Sequence, residues 1–230
     1  MGHAEPKLQD RATSKQLSLD EYWMPFTPNR DFKHDPKMVV RAEGMYLWSD
    51  RGDRLIDASS GLFCVNAGHA RREIADAVSA RIAALSADER MLLEHAAAVG
   101  SVFWLGALVA LMRMDKPAPE LWTKADMKDW DERRALLDGL VVRDYVLKLP
   151  DSSFSGEVEY VFKHTLGRER IAQLTSGAAA RRYHQTTADW LAQKDGVRSQ
   201  EEYCAMLAQH LEKGGALARA GLTYLEAADL

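Results

Sequence analysis

Asp50, Asp53 and Asp57 carry oxygen ligands of the kind a hard cation takes. Their spacing is not that of a calcium-binding hand, which closes on a glutamate, so all three are expected to be exposed turn residues. His69, followed by Arg71 and Arg72, stands where a helix is about to begin, a place that can hold an anion. A solvated helix start is the simpler expectation for that trio. His95, His184 and His210 fall on expected helices and are not paired at metal-ligand spacing. Arg133, Arg134, Arg168, Arg170, Arg181 and Arg182 are scattered among acids and are expected on a solvated face. Cys64 and Cys204 lie far apart without a CxxC pattern, as in a reducing cytosol.

The chain of 230 residues has 47% hydrophobic residues and a formal charge of −4. At roughly 100–200 residues per domain that means one or two packed domains. The mild negative charge gives no general attraction to nucleic acid or acidic lipid. Residues 1–15 are polar and lack a signal-peptide core, and Pro6 breaks the myristoylation pattern after Gly2. No apolar run reaches the roughly 18–20 residues that span a bilayer. A cytoplasmic location and no membrane partner are expected.

These residues must be held by elements of two textures. Pro25 and Pro28 exclude a regular helix over 21–30. Short strand-like runs at 38–40, 45–48 and 55–57 are separated by turn chemistry at Glu43-Gly44 and Asp50-Arg51-Gly52-Asp53. A helix over 71–85 carries Ile74, Ala77, Val78 and Ile82 on one stripe. Ser86 with Glu89 forms a capping box that opens a helix ending at Gly100. The apolar stretch 102–114 is expected as a buried helix carrying Trp104, Leu108, Leu111 and Met112. A third helix is expected over 126–137, then strands at 141–147 and 157–163, which is the order of a winged helix-turn-helix. Helices follow at 166–174, 177–194, 201–212 and 216–228. The last two, with apolar stripes (Tyr203, Met206, Leu207, His210, Leu211; Leu217, Gly221, Tyr224, Leu225, Ala228) and a turn at Lys213-Gly214-Gly215, form an αα-hairpin of repeat type. The fold class is mainly α with small β elements.

The text YWMPFTPNRDFKHDP and AEGMYLWSDRGDRLIDASSGLFCVNAGHARREIADAV resembles the N-terminus of class III pyridoxal-phosphate (PLP) aminotransferases of the ω-amino acid:pyruvate (β-alanine:pyruvate) group. The resemblance implies a small-domain β-meander and part of a substrate pocket. Trp23 and Phe26 would then stand at the pocket mouth and Leu62 and Phe63 beside the bound amine. Many relatives carry tryptophan where this chain has Phe63. The Schiff-base lysine and the acid that faces the pyridine nitrogen lie beyond the matched segment in that family.

From about residue 82 the text changes. LSADERMLLEHAAAVGSVFW, ERRALLDGLVVRDYVLKLPDSSFSGEVEYVFKHTLGRERIAQL, ARRYHQTTADWLAQ and MLAQHLEKGGALARAGLTYLEAADL resemble the winged-helix and TPR-like region of STAND-type signalling ATPases, which are often joined to adenylate cyclase or transcription-factor domains. His164 falls where that family places a histidine that senses the nucleotide β-phosphate. The phosphate-cradling string G-x-x-x-x-G-K-S/T is absent from the chain.

The chain therefore looks like two fragments joined end to end: a disordered tail over 1–16, an aminotransferase N-terminal fragment over 17–84, a winged-helix module over 85–164 and a TPR-like start over 165–230. One continuous helix is expected across the junction at 81–85. No self-contained catalysis is expected, nor a metal, nor a cofactor held by the chain alone, PLP and ATP or ADP belonging to the two parent families. The first functional expectation is a regulatory fragment that meets a protein partner through its TPR-like helices. A second is a transaminase-related chain that works only with a partner subunit. A third is a winged-helix DNA reader. It ranks lower because the third helix, DMKDWDERRALLD, holds five acids against three bases. A fusion product without selected function is the fourth.

Overall fold

The computed structural model describes residues 19–36, 38–114, 124–194 and 200–229. The expected tail and the loop bearing Pro117 and Pro119 lie outside them. The described residues are mainly helical with two small antiparallel sheets. It forms two compact units, residues 1–72 and 73–230. The sequence places its change of texture at 84/85. The units divide earlier because the helix that begins at Arg72 packs with the second unit.

In the first unit, α1 (Asn29–His34) starts directly after Pro28, whose fixed φ suits a helix entry. Strands β1 (Val39–Glu43), β2 (Tyr46–Ser49) and β3 (Arg54–Ile56) form a meander in the order β1-β2-β3. Ser49 Oγ seals the β2–β3 turn by accepting the N–H groups of Arg51 and Asp53 at 3.2 and 3.1 Å. Among the described residues of this unit, no apolar side chain is buried. Two of its aromatics are covered by arginine instead: Arg41 lies 4.5 Å from the Trp48 ring centroid and Arg54 4.6 Å from that of Tyr46. Next comes a single turn, α2 (Ser60–Phe63).

The second unit opens with α3 (Arg72–Ala83), which runs unbroken through Arg81 and closes with the Leu85 N–H on the Ile82 carbonyl. The Arg81 guanidinium lies over the Tyr145 ring at 4.7 Å and donates to the Arg143 carbonyl, while the Tyr145 hydroxyl donates to the Arg81 carbonyl at 2.7 Å. The Ser86–Glu89 capping box forms as expected and opens α4 (Ala87–Val99), which Gly100 ends.

The buried helix expected over 102–114 is two elements. Val102, Phe103 and Trp104 form strand β4, and only α5 (Leu105–Met112) is helical. The reason is pairing: Phe103 sits opposite Tyr160 in a sheet, and the Trp104 indole N–H donates to the buried Glu159 carboxylate at 2.9 Å. The third helix, α6 (Lys124–Val142), continues past Gly139. A glycine inside a helix costs about 1 kcal/mol, less than burying Leu137 and Leu140 returns. That extension shortens the next strand from the expected 141–147 to β5 (Val146–Lys148). With β6 (Glu159–Phe162) the sheet order is β4-β6-β5, three strands where the sequence suggested two.

Helices α7 (Thr165–Ala172), α8 (Gly177–Leu191), α9 (Gln200–Gly214) and α10 (Leu217–Ala228) complete the unit. α8 joins the same core as the sheet. Trp190 stacks on Trp104 at 5.8 Å, and Phe154 meets both edge-on. At Gly214 an added Cβ would stand 2.9 Å from Gln185 Cγ, so α8 and α9 cross at glycine contact. The stripe expected on α9 packs inward, whereas that on α10 does not. α10 buries Ala220 and Thr223 and turns Leu217 and Leu225 outward, because only small side chains fit its close approach to α9.

Candidate functional site

The segment Asp57–His69 of the first unit is organised by one carboxylate. Asp57 accepts from the Ser59 N–H and hydroxyl through Oδ1 at 3.2 and 3.1 Å, and from the Gly61 N–H through Oδ2 at 2.7 Å. His69 Nε2 meets the same Oδ2 at 2.7 Å. The hydrogen bond to His69, before all others, holds the Asp57 carboxyl below the usual carboxylate range. The Ser59 hydroxyl bonds the carboxylate and not the imidazole, so no serine–histidine relay exists here.

The hub supports an unusual backbone. Ser60, Gly61, Leu62 and Phe63 have φ of 51°, 57°, 59° and 67°, all left-handed. Each non-glycine residue held so costs about 1–2 kcal/mol, and such strain persists only where the surroundings impose it. The backbone bonds Phe63 N–H to Ser59 and Val65 N–H to Ser60, together with Asp57, impose it. The segment is then tied to the meander by a two-way bridge between Gly44 and His69. Gly68, at φ 93°, allows this, since a Cβ there would lie 3.1 Å from the Gly44 carbonyl oxygen. The outcome is an open hollow of about 790 Å³ edged by Tyr46, Ile56, Asp57, Asn66, His69 and Arg71.

Of the residues singled out from the sequence, Trp23, Phe26, Leu62 and Phe63 are 75, 99, 66 and 77% exposed. Asp50 and Asp53 are turn residues, and no three His, Cys, Asp or Glu side chains among the described residues form a metal-binding group. Arg71 bonds the Ala67 carbonyl at 2.8 Å, closing a backbone turn. The Asp57–His69 pair was missed by sequence reasoning. Its one signal is an Asp and a His bracketing a glycine-bounded segment, which is weak by itself.

In the second unit His164 is the N-cap of α7, exposed and making no side-chain cap bond. It edges an apolar hollow of about 270 Å³ with Val78, Ile82, Tyr145, Phe162 and Ile171. The structure brings two of the other histidines together: His184 on α8 and His210 on α9 have their Nδ1 atoms 3.0 Å apart. Two helices from separate parts of the text meet there, so no sequence spacing could reveal it. Burial holds both rings, and that of His95, down to about 4.

No helix among the described residues is long and apolar enough to cross a membrane. No protein-family model matches the chain. Over 80 residues it is 42% identical to the ω-amino acid–pyruvate aminotransferase of Pseudomonas putida, covering 35% of this chain and 18% of that enzyme. Over 72 residues it is 44% identical to the β-alanine–pyruvate aminotransferase of Pseudomonas aeruginosa, covering 31% and 16%. Over 65 residues it is 49% identical to the ω-aminotransferase of Caulobacter vibrioides, covering 28% and 15%. The chain thus spans less than a fifth of the length of these curated relatives, and about a third of it is similar to pyruvate aminotransferases.

Proposed function

We propose that the chain is a regulatory, protein-interaction fragment without catalysis of its own. Its first unit offers an aminotransferase-type surface to a partner chain. Its second unit is a winged-helix module followed by TPR-like helices, of the kind found beside the nucleotide core of STAND-type signalling ATPases. The observation that carries the reading is the exposed quartet Trp23, Phe26, Leu62 and Phe63, part of it mounted on a strained turn that a carboxylate hub holds in place. Exposed large apolar groups on an ordered support are what a docking surface requires.

The element order α4-β4-α5-α6-β5-β6 with β6 central supports the winged-helix reading, and the αα-hairpin α9–α10 supports the TPR-like one. In the first unit, the lysine among the described residues does not fit a Schiff-base position: Lys33 lies at the surface with its ammonium on the Asp20 carbonyl at 2.6 Å. His164 is the nucleotide-sensor relic in this reading, and the quartet is the relic of a substrate pocket. A DNA-reading role is disfavoured by the acids of α6.

The quartet also favours a second reading, a transaminase-related chain completed by a partner subunit. One experiment separates the two. The purified chain is mixed with a full-length ω-amino acid:pyruvate aminotransferase and followed by analytical ultracentrifugation and by alanine formation. A complex with unchanged turnover, weakened about tenfold or more by Phe26→Ser or Phe63→Ser, supports the interaction role. Turnover gained on mixing supports the second reading. Absence of any complex counts against docking on such a subunit.

A further inference from the structure

The apolar hollow beside His164 lies wholly within the second unit, between α3, the residues leading into β5, the end of β6 and α7. It exists because α3 buries a single residue, Ile82. Ile74 and Val78 precede Ile82 on the same helix face, one turn apart. Val78 is only partly buried and Ile74 is 44% exposed, so the stripe parts from the core toward the start of the helix. α7 contributes Leu166, Gly167 and Ile171 to the lining. Gly167 has no side chain to fill the gap, and a Cβ added there would meet no atom within 4 Å. Tyr145 and Phe162 supply aromatic walls. The Tyr145 wall is held at both ends, by its hydroxyl on the Arg81 carbonyl at 2.7 Å and by its own carbonyl accepting the Lys163 N–H at 3.1 Å.

The charged groups at the rim already have partners. Arg81 donates to the Arg143 carbonyl at 2.9 Å and lies over the Tyr145 ring, and Asp144 is paired with Lys163 at 2.6 Å. His164 is exposed and makes no side-chain cap bond, so its imidazole can meet a ligand group. A charged ligand pressed against Ile82, Phe162 and Ile171 would lose its hydration without gaining a counter-charge, which is costly. A neutral apolar one gains from the same burial. Size narrows the class further. The hollow measures about 270 Å³. A dry apolar cavity of about 150 Å³ takes up benzene, so there is room here for a body of about ten carbon-sized atoms.

We infer that this hollow binds a neutral, largely hydrocarbon small molecule of about ten non-hydrogen atoms, its body against Val78, Ile82, Phe162 and Ile171 and one hydroxyl or carbonyl turned to His164. The inference rests on the cavity and its lining, not on the nucleotide-sensor reading of His164, which calls for a polyanion.

The test titrates the full chain with 1-naphthol and, separately, with 1-naphthalenesulfonate and ATP. Calorimetry and the methyl NMR signals of Val78, Ile82, Leu166 and Ile171 report on binding. 1-Naphthol should bind one-to-one, with a Kd below about 1 mM, and should shift those methyl signals. The sulfonate should bind about tenfold or more weakly, and ATP should not displace 1-naphthol. Gly167→Leu, which fills the gap from a helical position, should weaken 1-naphthol binding about tenfold or more. Ile74→Asp, at the exposed mouth, should weaken it severalfold, and thermal melts establish that each variant is folded. The inference is overturned if 1-naphthol does not saturate, if its shifts fall on other apolar surfaces such as α10, if the sulfonate binds as well or ATP displaces it, or if the folded variants bind as the parent chain does.

Discussion

His69 Nε2 lies 2.7 Å from Asp57 Oδ2, the same oxygen that receives the Gly61 N–H. One atom thus links the left-handed turn to the residue that bridges back to Gly44. Substituting Asp57→Asn should loosen α2 while leaving the meander paired. Chymotrypsin should then cut after Leu62 or Phe63 severalfold faster than in the parent chain. The effect has a pH counterpart. The folded-state carboxyl sits below its usual range, so the contribution is present above about pH 4 and is lost as pH falls through the lowered value. Equal cleavage rates in parent and variant at pH 7 would remove Asp57 from its organising role.

The two units should separate in stability. The first has no buried apolar side chain among its described residues, and the second has a large core with a smaller cluster around Ala188, Leu211 and Ala220 beside it. At about 25 cal/mol per Å² of apolar surface, that difference is most of a small domain's stability. Limited proteolysis should cut within the first unit and leave a helical fragment starting near Glu73. A first unit as resistant as the second would contradict this.

Phe154 is fully enclosed by Trp104, Trp190 and Tyr203. Phe154→Ala should destabilise the second unit by about 3–5 kcal/mol. Because that cluster joins the sheet to α8 and α9, urea should unfold sheet and helices in one transition, in parent and variant alike. Two transitions by circular dichroism and tryptophan fluorescence would mean that the parts fold separately.

Acid should weaken the same unit. His95 and His210 are buried and held near 4, against about 6.5 in an unfolded chain. Their stabilising contribution is complete above about pH 6.5 and is lost as pH falls toward 4, on the order of 2 kcal/mol each. Urea midpoints measured between pH 7 and 4.5 should fall steadily, and His95→Gln should flatten part of that slope.

The chain alone should form no alanine from an ω-amine and pyruvate in the presence of PLP, and should not hydrolyse ATP. Absorbance of a lysine-bound PLP band and phosphate release measure the two. His164→Ala should leave nucleotide binding unchanged. Loss of a micromolar ATP affinity on that substitution would reinstate His164 as a sensor.

Local signals were legible where they act locally. Ser86 and Glu89 cap α4, Gly100 ends it, and the turn residues at 43–44 and 50–53 bound the strands, whereas the short α1 after Pro28 was not foreseen. What was not legible depended on partners far away in sequence. Val102–Trp104 is as apolar as the helix after it, and only Tyr160 and Glu159 make it a strand. Gly139 ends a helix by propensity, yet the burial of Leu137 and Leu140 carries α6 onward. Leu217 and Leu225 fit an inward stripe, but the width of the gap to α9 admits only Ala220 and Thr223. The imidazole contact needed coordinates, since it leaves no trace in spacing.

The way α3 is fastened sets which lengths of chain the junction can accept. Tyr145 grips the backbone carbonyl of Arg81, an acceptor that any residue at that place would supply, while Ile82 must point into the core. Replacement of neighbouring side chains is therefore tolerable, but a change of length is not. One residue inserted between Glu73 and Arg81 turns everything after it by about 100°. Where the insertion falls between Val78 and Ile82, the two can then no longer face the core of the second unit together. Viable natural variants of this chain should consequently differ at the junction by substitution, or by additions of about three or four residues that restore the helical phase.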